Sequence, residues 1–327
     1  MGNTMESFDD WLSFDVFALA EETSVVGGRL LQTIVTHVLE VNGLMSLVDK
    51  GRLQSFLDEI ESKYRGENPY HTSTHAADVV HSVATMIQVD SWCEGLADWE
   101  LLSLILAAAC HDVGHQGVTN EYHGRMNTAW SQEYGQYGGS VNEHAHAMIT
   151  LSLMKEDKND FLHAVDPIVK DKIVEYVKRM ILQTDITWHV DVCQKFADAC
   201  SRGLACGPMD AWLPEDRMQA LSGLLHFADI SNPGRPWHLC RRWSVRIHDE
   251  LVLQGNREEA EGVTRSPNTA RGGEVMAMNQ IMFINNTLKP FCDQVSVIAP
   301  RFTSMIRPHI CEALKNWQEY KGDDVHV

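Results

Sequence analysis

The stretch DPIVKDKIVEYVKRMILQTD, residues 166–185, decides the fold class. Its apolar side chains return every three or four positions, at Val169, Ile173, Val177, Met180 and Ile181. That is the stripe of an amphipathic helix rather than the alternation of a strand. The same period runs through GGRLLQTIVTHVLEV (27–41), LQSFLDEIESKY (53–64) and EDRMQALSGLLHFADI (215–230). Runs alternating polar with β-branched residues are nearly absent, so the expected fold is all-α, a compact multi-helix bundle. No internal repeat or low-complexity tract interrupts it. Three stretches read as loops: the Gly-rich 135–140, then 201–214 with its two Gly and two Pro, and the long polar 254–273. A loop of that last length is often a lid or disordered. None looks like a linker, because helices carrying further His and Asp residues resume afterwards. Residues 1–327 therefore read as one domain, with a frayed polar tail at about 322–327.

With 27 Lys+Arg against 45 Asp+Glu, the net charge of −18 repels phosphate backbones, and a nucleic-acid surface is not expected. An anionic substrate would need a local reversal of sign, which bound cations could supply. The eight cysteines are scattered, with no C-x-x-C pair, and read as reduced thiols rather than a disulfide framework. The first residues, MGNTMESFDD, are polar and acidic, so a signal peptide is not expected, and Glu6 stands where a myristoylation signal on Gly2 wants Ser or Thr. The longest apolar run, LLSLILAAAC (101–110), is too short to span a bilayer. A cytoplasmic protein without a transmembrane segment is expected.

The chemistry lies in the His and Asp distribution. His71, His75 and Asp78 fall at i, i+4 and i+7, so one helix face would present two imidazoles and a carboxylate. The apolar run 101–110 ends in His111-Asp112, a costly arrangement unless something satisfies the polar groups. A metal ion is an efficient partner, and the two oxygens of Asp112 could bridge to a second ion. Glu143-His144-Ala145-His146 and Thr184-Asp185 interrupt or end further apolar helices, and His226 and Asp229 lie at i, i+3 in a buried stretch closed by Asn232-Pro233. One such His is ordinarily a satisfied core residue, and His37, His163, His238 and His309 are read that way. Several together call for a shared explanation, and a metal centre supplies one. Mixed His/Asp ligands without thiolate suit an open zinc site with a magnesium or manganese site beside it. A protease of the H-E-x-x-H kind fits poorly, since Asp112 is shorter than the required Glu and no third His follows.

Taken together, YHTSTHAADV (70–79), HDVGHQGVTN (111–120), ILQTDITWH (181–189), LLHFADISNP (224–233) and NQIMFINN (279–286) resemble the catalytic domain of class I cyclic nucleotide phosphodiesterases. The resemblance covers nearly everything from about Asp9 to the last helix. It implies an all-helical metal hydrolase of the HD type that cleaves cAMP, cGMP or both to the 5′-monophosphate with a hydroxide activated by two metals. His75, His111, Asp112 and Asp229 match the ligands of the tighter ion, usually Zn2+. Asp112 also reaches the second, usually Mg2+ or Mn2+, whose waters are held by residues matching His115, Glu143 and Thr184. His71 matches the general acid that protonates the O3′ leaving group, and Glu250 the carboxylate that orients it. Gln280 matches the glutamine that binds the purine, and Phe283 and Ile247 the two sides of its clamp, with Asn232 beside it and Tyr70 in the same pocket. The partners implied are the cyclic nucleotide and regulatory domains in a longer parent chain. Departures from the family pattern are Gly114 and Gln116, where Asp and Pro are common, and Thr72 in place of an Asn. Residues 256–273 show little likeness and are expected to form a flap at the pocket mouth. Other readings of the residues are a metal phosphohydrolase acting on mononucleotides and a catalytically silent nucleotide sensor.

Overall fold

A computed structural model describes residues 11–25 and 29–322, so Gly2 and the tail 323–327 lie outside the described residues. The chain winds through α1 (Val16–Val25), α2 (Leu30–Val41), α3 (Lys50–Lys63), α4 (Ser73–Val89), α5 (Asp98–Cys110), α6 (Asn120–Met126), α7 (Ala129–Tyr134) and α8 (Val141–Met154). It continues through α9 (Pro167–Leu182), α10 (His189–Cys206), α11 (Pro214–Asp229), α12 (Trp237–Ala260), α13 (Gly273–Phe283), α14 (Lys289–Val295) and α15 (Pro300–Glu319). Short 3-10 turns join them, and no strand occurs among the described residues. The all-α expectation holds.

The stripe that opened the reading forms α9. Asp166 caps it by accepting from the backbone N–H of Ile168 (3.0 Å) and Val169 (3.3 Å), and Pro167 occupies the first turn, where its missing N–H costs nothing. Ile173, Val177, Met180 and Ile181 face inward. At the centre lie α4 and α5, packed on every side: His75 through Ile87 in α4 and Leu102 through Cys110 in α5 are all buried. Helix α11 packs on α4, while α9 and α2 flank α5 and α4. Residues that look excessively apolar for surface helices are therefore the inner members of a layered bundle. The site residues sit mostly where these inner helices end.

Close approach of α10 to α11 depends on Gly223, whose absent Cβ would lie 2.2 Å from the Phe196 ring. Because α11 delivers Asp229, this contact also sets a site residue in depth. Gly223→Ala should cost about 1–3 kcal/mol through overpacking. Urea unfolding would read this as a lower midpoint at an unchanged slope.

Two expected loops are shorter than the sequence suggested. The 201–214 stretch begins as helix, because α10 runs on to Cys206. Gly203 does not break it there: its bare Cα lets the Trp212 indole lie where a Cβ would be, 2.0 Å from the ring. The 254–273 loop likewise starts late, since α12 continues to Ala260. Its last turns hide their helical period because the inward positions are polar. Gln254 and Glu258 are buried, and Gln254 Nε2 donates to Glu258 Oε1 at 3.1 Å. The loop proper, 261–272, is fastened by Glu258, which accepts from the Ser266 backbone N–H and hydroxyl at 2.6 Å each. Downstream, Pro290 has no N–H for the Asn286 carbonyl, and the helix widens into a π turn over Ile284–Leu288 just before it.

Candidate metal centre and substrate pocket

His75 lies in the first turns of α4, His111 and Asp112 follow the last turn of α5, and Asp229 ends α11. Helix α5 stops there because the chain turns at Gly114, whose φ of +82° is a conformation that favours glycine. Three elements distant in sequence thus bring four ligand atoms within 4.8 Å of one another. His75 Nε2 stands 2.8 Å from Asp229 Oδ1, 3.6 Å from Asp112 Oδ2 and 3.4 Å from His111 Nε2. His111 Nε2 is 3.1 Å from Asp112 Oδ2 and 3.3 Å from Asp229 Oδ1.

These separations are the test of fit. A tetrahedral ion with bonds of about 2.0–2.1 Å has ligand edges of about 3.3 Å, and the observed edges straddle that value. His111 also has its tautomer set: Nδ1–H donates to the Ala108 carbonyl at 2.8 Å, which turns the Nε2 lone pair toward the cluster. The four residues fit a metal ion.

A second group, His71, His115 and Glu250, lies beside the first. His71 does not share a helix face with His75, as the spacing had suggested, because α4 begins only at Ser73. The backbone N–H groups of Tyr70 and His71 are taken by Glu250 Oε2, at 2.9 and 3.1 Å, and this holds the segment out of the helix. Glu250 Oε1 meets His71 Nδ1 in a close ion pair. Burial alone would lower the His71 pKa, but Glu250, with Asp112 and Asp229 behind it, outweighs burial and pushes it up to about 9. Glu250 is drawn down to about 2, burial being overcome by His71. The His115 ring stacks on that of His71 with centroids 3.8 Å apart. Burial and the charge on His71 hold His115 well below its ordinary value, and its Nδ1 accepts from the Gly117 N–H at 3.0 Å.

A cavity of about 520 Å3 is lined by all three members of the second group and, from the first, by Asp229. Tyr70, His71, His115, Asn232 and Glu250 line it, together with Asp229, Ile247, Gln280 and Phe283. Gln280 and Phe283 share a face of α13, and Ile247 comes from α12. Glu143 and Thr184 lie off this wall, as do His75, His111 and Asp112. The Thr184 hydroxyl donates to the Ile181 carbonyl at 2.8 Å, and Glu143 accepts from Asn120 Nδ2 at 2.9 Å. Burial and the neighbouring Asp185 push Glu143 up to about 8.

Asp78 is not among the metal-ligating group, for it turns from His75 toward Arg235. Three residues escaped the sequence reading. His146 is buried, donates Nδ1–H to the His111 carbonyl at 2.6 Å and leaves Nε2 without a partner. Burial keeps it neutral, with a pKa of about 4. Its signal was the Glu143–His146 spacing, noticed but not assigned. Asn68 ties the two loops of the site together, its Nδ2 donating to the carbonyls of His71 (3.0 Å) and His115 (2.8 Å). Arg235 had no local signal.

The all-helical fold thus carries a His/Asp group that fits a metal ion beside an ion-paired histidine. The 3′5′-cyclic nucleotide phosphodiesterase family model matches residues 70–309, and the chain belongs to that family. It is 32% identical over 306 residues to the human dual specificity calcium/calmodulin-dependent 3′,5′-cyclic nucleotide phosphodiesterase 1B, covering 91% of this chain and 54% of that protein. It is 28% identical over 320 residues to the 3′,5′-cyclic-nucleotide phosphodiesterase regA of Dictyostelium discoideum, covering 97% and 38%. The chain thus spans about half the length, or less, of these relatives. The phosphodiesterase domain of the RhoPDE fusion protein from the choanoflagellate Salpingoeca rosetta superposes with a TM-score of 0.80 at 25% identity, over 88% of this chain and 90% of that one. No helix among the described residues is long and apolar enough to cross a membrane.

Proposed function

We propose that this chain hydrolyses 3′,5′-cyclic nucleotides, cAMP, cGMP or both, to 5′-nucleoside monophosphates. The observation that carries the reading is one cavity lined by Asp229 of the four-ligand group and, beside it, by His71 paired with Glu250. Zn2+ held by His75, His111, Asp112 and Asp229, and Mg2+ or Mn2+ sharing Asp112, would supply a nucleophile at neutral pH and neutralise the phosphate oxygens. His71, its Nδ1 engaged by Glu250, keeps a proton on the other ring nitrogen for the O3′ oxygen as the P–O3′ bond breaks. Glu250 holds that imidazolium in place. Gln280 binds the purine edge, with Phe283 and Ile247 against its faces and Tyr70 and Asn232 completing the wall. His115, Glu143 and Thr184 would hold waters of the second cation. The greater length of the relatives supports regulatory domains in a longer parent chain, and the setting proposed for it is the cytoplasm.

The test is turnover of cAMP and cGMP by purified protein with Mg2+, with and without chelator. Gln280→Ala should raise KM for the cyclic substrate about tenfold, the worth of a hydrogen bond in a dry pocket, with kcat less affected. Turnover of a 5′-mononucleotide that is indifferent to Gln280→Ala would replace this reading with a general phosphohydrolase. Binding of cyclic nucleotide without turnover would replace it with a sensor.

A further inference from the structure

A buried chain of polar contacts runs from Trp11 to Tyr70 and Asn232 at the cavity wall, and the proposed chemistry gives its inner members, Arg235 and Asp78, no role. The Arg235 guanidinium, 1% exposed, is ion-paired with Asp78. The other oxygen of that carboxylate accepts from Asn232 Nδ2 at 3.0 Å, and Asn232 Oδ1 accepts from the Tyr70 hydroxyl. Tyr70 and Asn232 both line the cavity, whereas Asp78 and Arg235 do not. On the far side, the Trp11 ring covers the guanidinium, with Cζ 3.5 Å from the ring centroid, and its indole N–H donates to the Gly234 carbonyl at 3.4 Å. His81 Nδ1 takes a further contact from Arg235 at 3.0 Å, and Phe14 stacks on the His81 ring at 3.7 Å.

Each link removes one freedom from the next. A carboxylate has no hydrogen to give, so the Asn232 amide must turn its NH2 toward Asp78 and its carbonyl toward Tyr70. The buried carboxylate in turn needs the guanidinium, since breaking a buried pair leaves an uncompensated charge. The guanidinium is held flat by the Trp11 face, a cation–π contact strengthened by exclusion of water.

We propose that Trp11, Arg235 and Asp78 form a positioning relay that fixes the amide of Asn232 and the hydroxyl of Tyr70 in the substrate pocket, so that the N-terminal segment sets nucleotide affinity. Asp78 acts through Asn232 and touches neither the metal group nor the cavity. The inference rests on the proposed hydrolysis for its kinetic readout, and nucleotide binding reads it independently.

The experiment uses the metal-loaded chain. Asp78→Asn, Asn232→Ala and the double variant are assayed with cAMP and cGMP and titrated with 5′-AMP and 5′-GMP. Asp78→Asn should raise KM and the product Kd about tenfold, with kcat within about threefold and metal content unchanged; on the Asn232→Ala background it should add almost nothing, the coupling expected of contacting residues. Trp11→Ala should show the same split more weakly, and Trp11→Phe, which keeps a ring over the guanidinium, should recover most of the loss. The Trp11 pair carries the test if Asp78→Asn does not fold. Additive losses on an active wild type, a fall in kcat at constant KM, or Trp11→Phe no better than Trp11→Ala would overturn the relay alone. A wild type that turns over no cyclic nucleotide and binds neither product would overturn the proposed hydrolysis and the relay with it.

Discussion

Asp229→Ala should lower kcat/KM for a cyclic nucleotide by at least about 10^3-fold and lower the bound metal content of the purified protein. The reason is its place in the cluster. Asp229 Oδ1 reaches both imidazoles, 2.8 Å from His75 Nε2 and 3.3 Å from His111 Nε2. Burial would push its pKa up, but His111 and His75 outweigh burial and hold it well below the ordinary carboxylate range. Such a carboxylate stays ionised at any working pH and is ready for a cation. Alanine leaves His75 and His111 facing Asp112 alone, with one negative charge gone and the polyhedron open. Asp229→Asn, which keeps the shape and removes the charge, should fail nearly as badly. That separates loss of charge from loss of packing. Metal analysis is the deciding measurement beside kinetics: an alanine variant with full activity and unchanged metal content would remove Asp229 from the centre and the centre from the mechanism.

How much of this was legible in the sequence depends on how local each interaction is. His111-Asp112 could be read directly, because two polar groups closing a ten-residue apolar run demand a partner whatever the rest of the chain does. Several segments posing the same demand pointed to a shared metal, but that His75 and Asp229 are the ones to join His111 and Asp112 followed from the family resemblance. The true setting of His71 could not be read. Its spacing to His75 fits a helix face, and only a carboxylate 179 residues away, taking the N–H groups of Tyr70 and His71, keeps it out of the helix. Asp78 was misread for the same reason, its partner Arg235 lying 157 residues downstream. The end of α12 was missed because its inward positions, Gln254 and Glu258, are polar, and an apolar-periodicity reading is blind to a buried polar stripe. Gln280, Phe283 and Ile247 were singled out only through family resemblance. Gln280 and Phe283 at i, i+3 on α13 look like ordinary packing until a cavity is seen beside them.

The His71–Glu250 pair yields the second large effect, and pH is where it appears. His71→Ala should reduce kcat by about 10^2–10^4-fold, the usual contribution of a positioned general acid. Glu250→Gln should cost less at neutral pH while reshaping the profile. The His71 pKa is raised from 6.5 to about 9, so the proton is in place below the ordinary histidine range and is lost as pH rises through about 9. The activity that depends on it should fall on that alkaline limb. Cations bound at the neighbouring cluster would offset Asp112 and Asp229, but Glu250 is not a ligand there and its pull on His71 persists. Replacing it with the neutral amide leaves burial, which lowers the pKa, unopposed by its main counterweight. The alkaline limb of the kcat–pH profile should therefore move toward acid by about a unit or more in Glu250→Gln. The defect should shrink as the assay pH is lowered, because protonation of His71 is then supplied by the medium. In stability the two halves of the pair bracket a window. The histidine half is fully present below about 6.5 and lost through about 9, and the glutamate half is present above about 4.5 and lost as pH falls through about 2. The ion pair thus protects the fold most between about 4.5 and 6.5. A Glu250→Gln profile whose alkaline limb coincides with that of the wild type would show that the carboxylate only holds the loop, and that something else keeps the proton on His71.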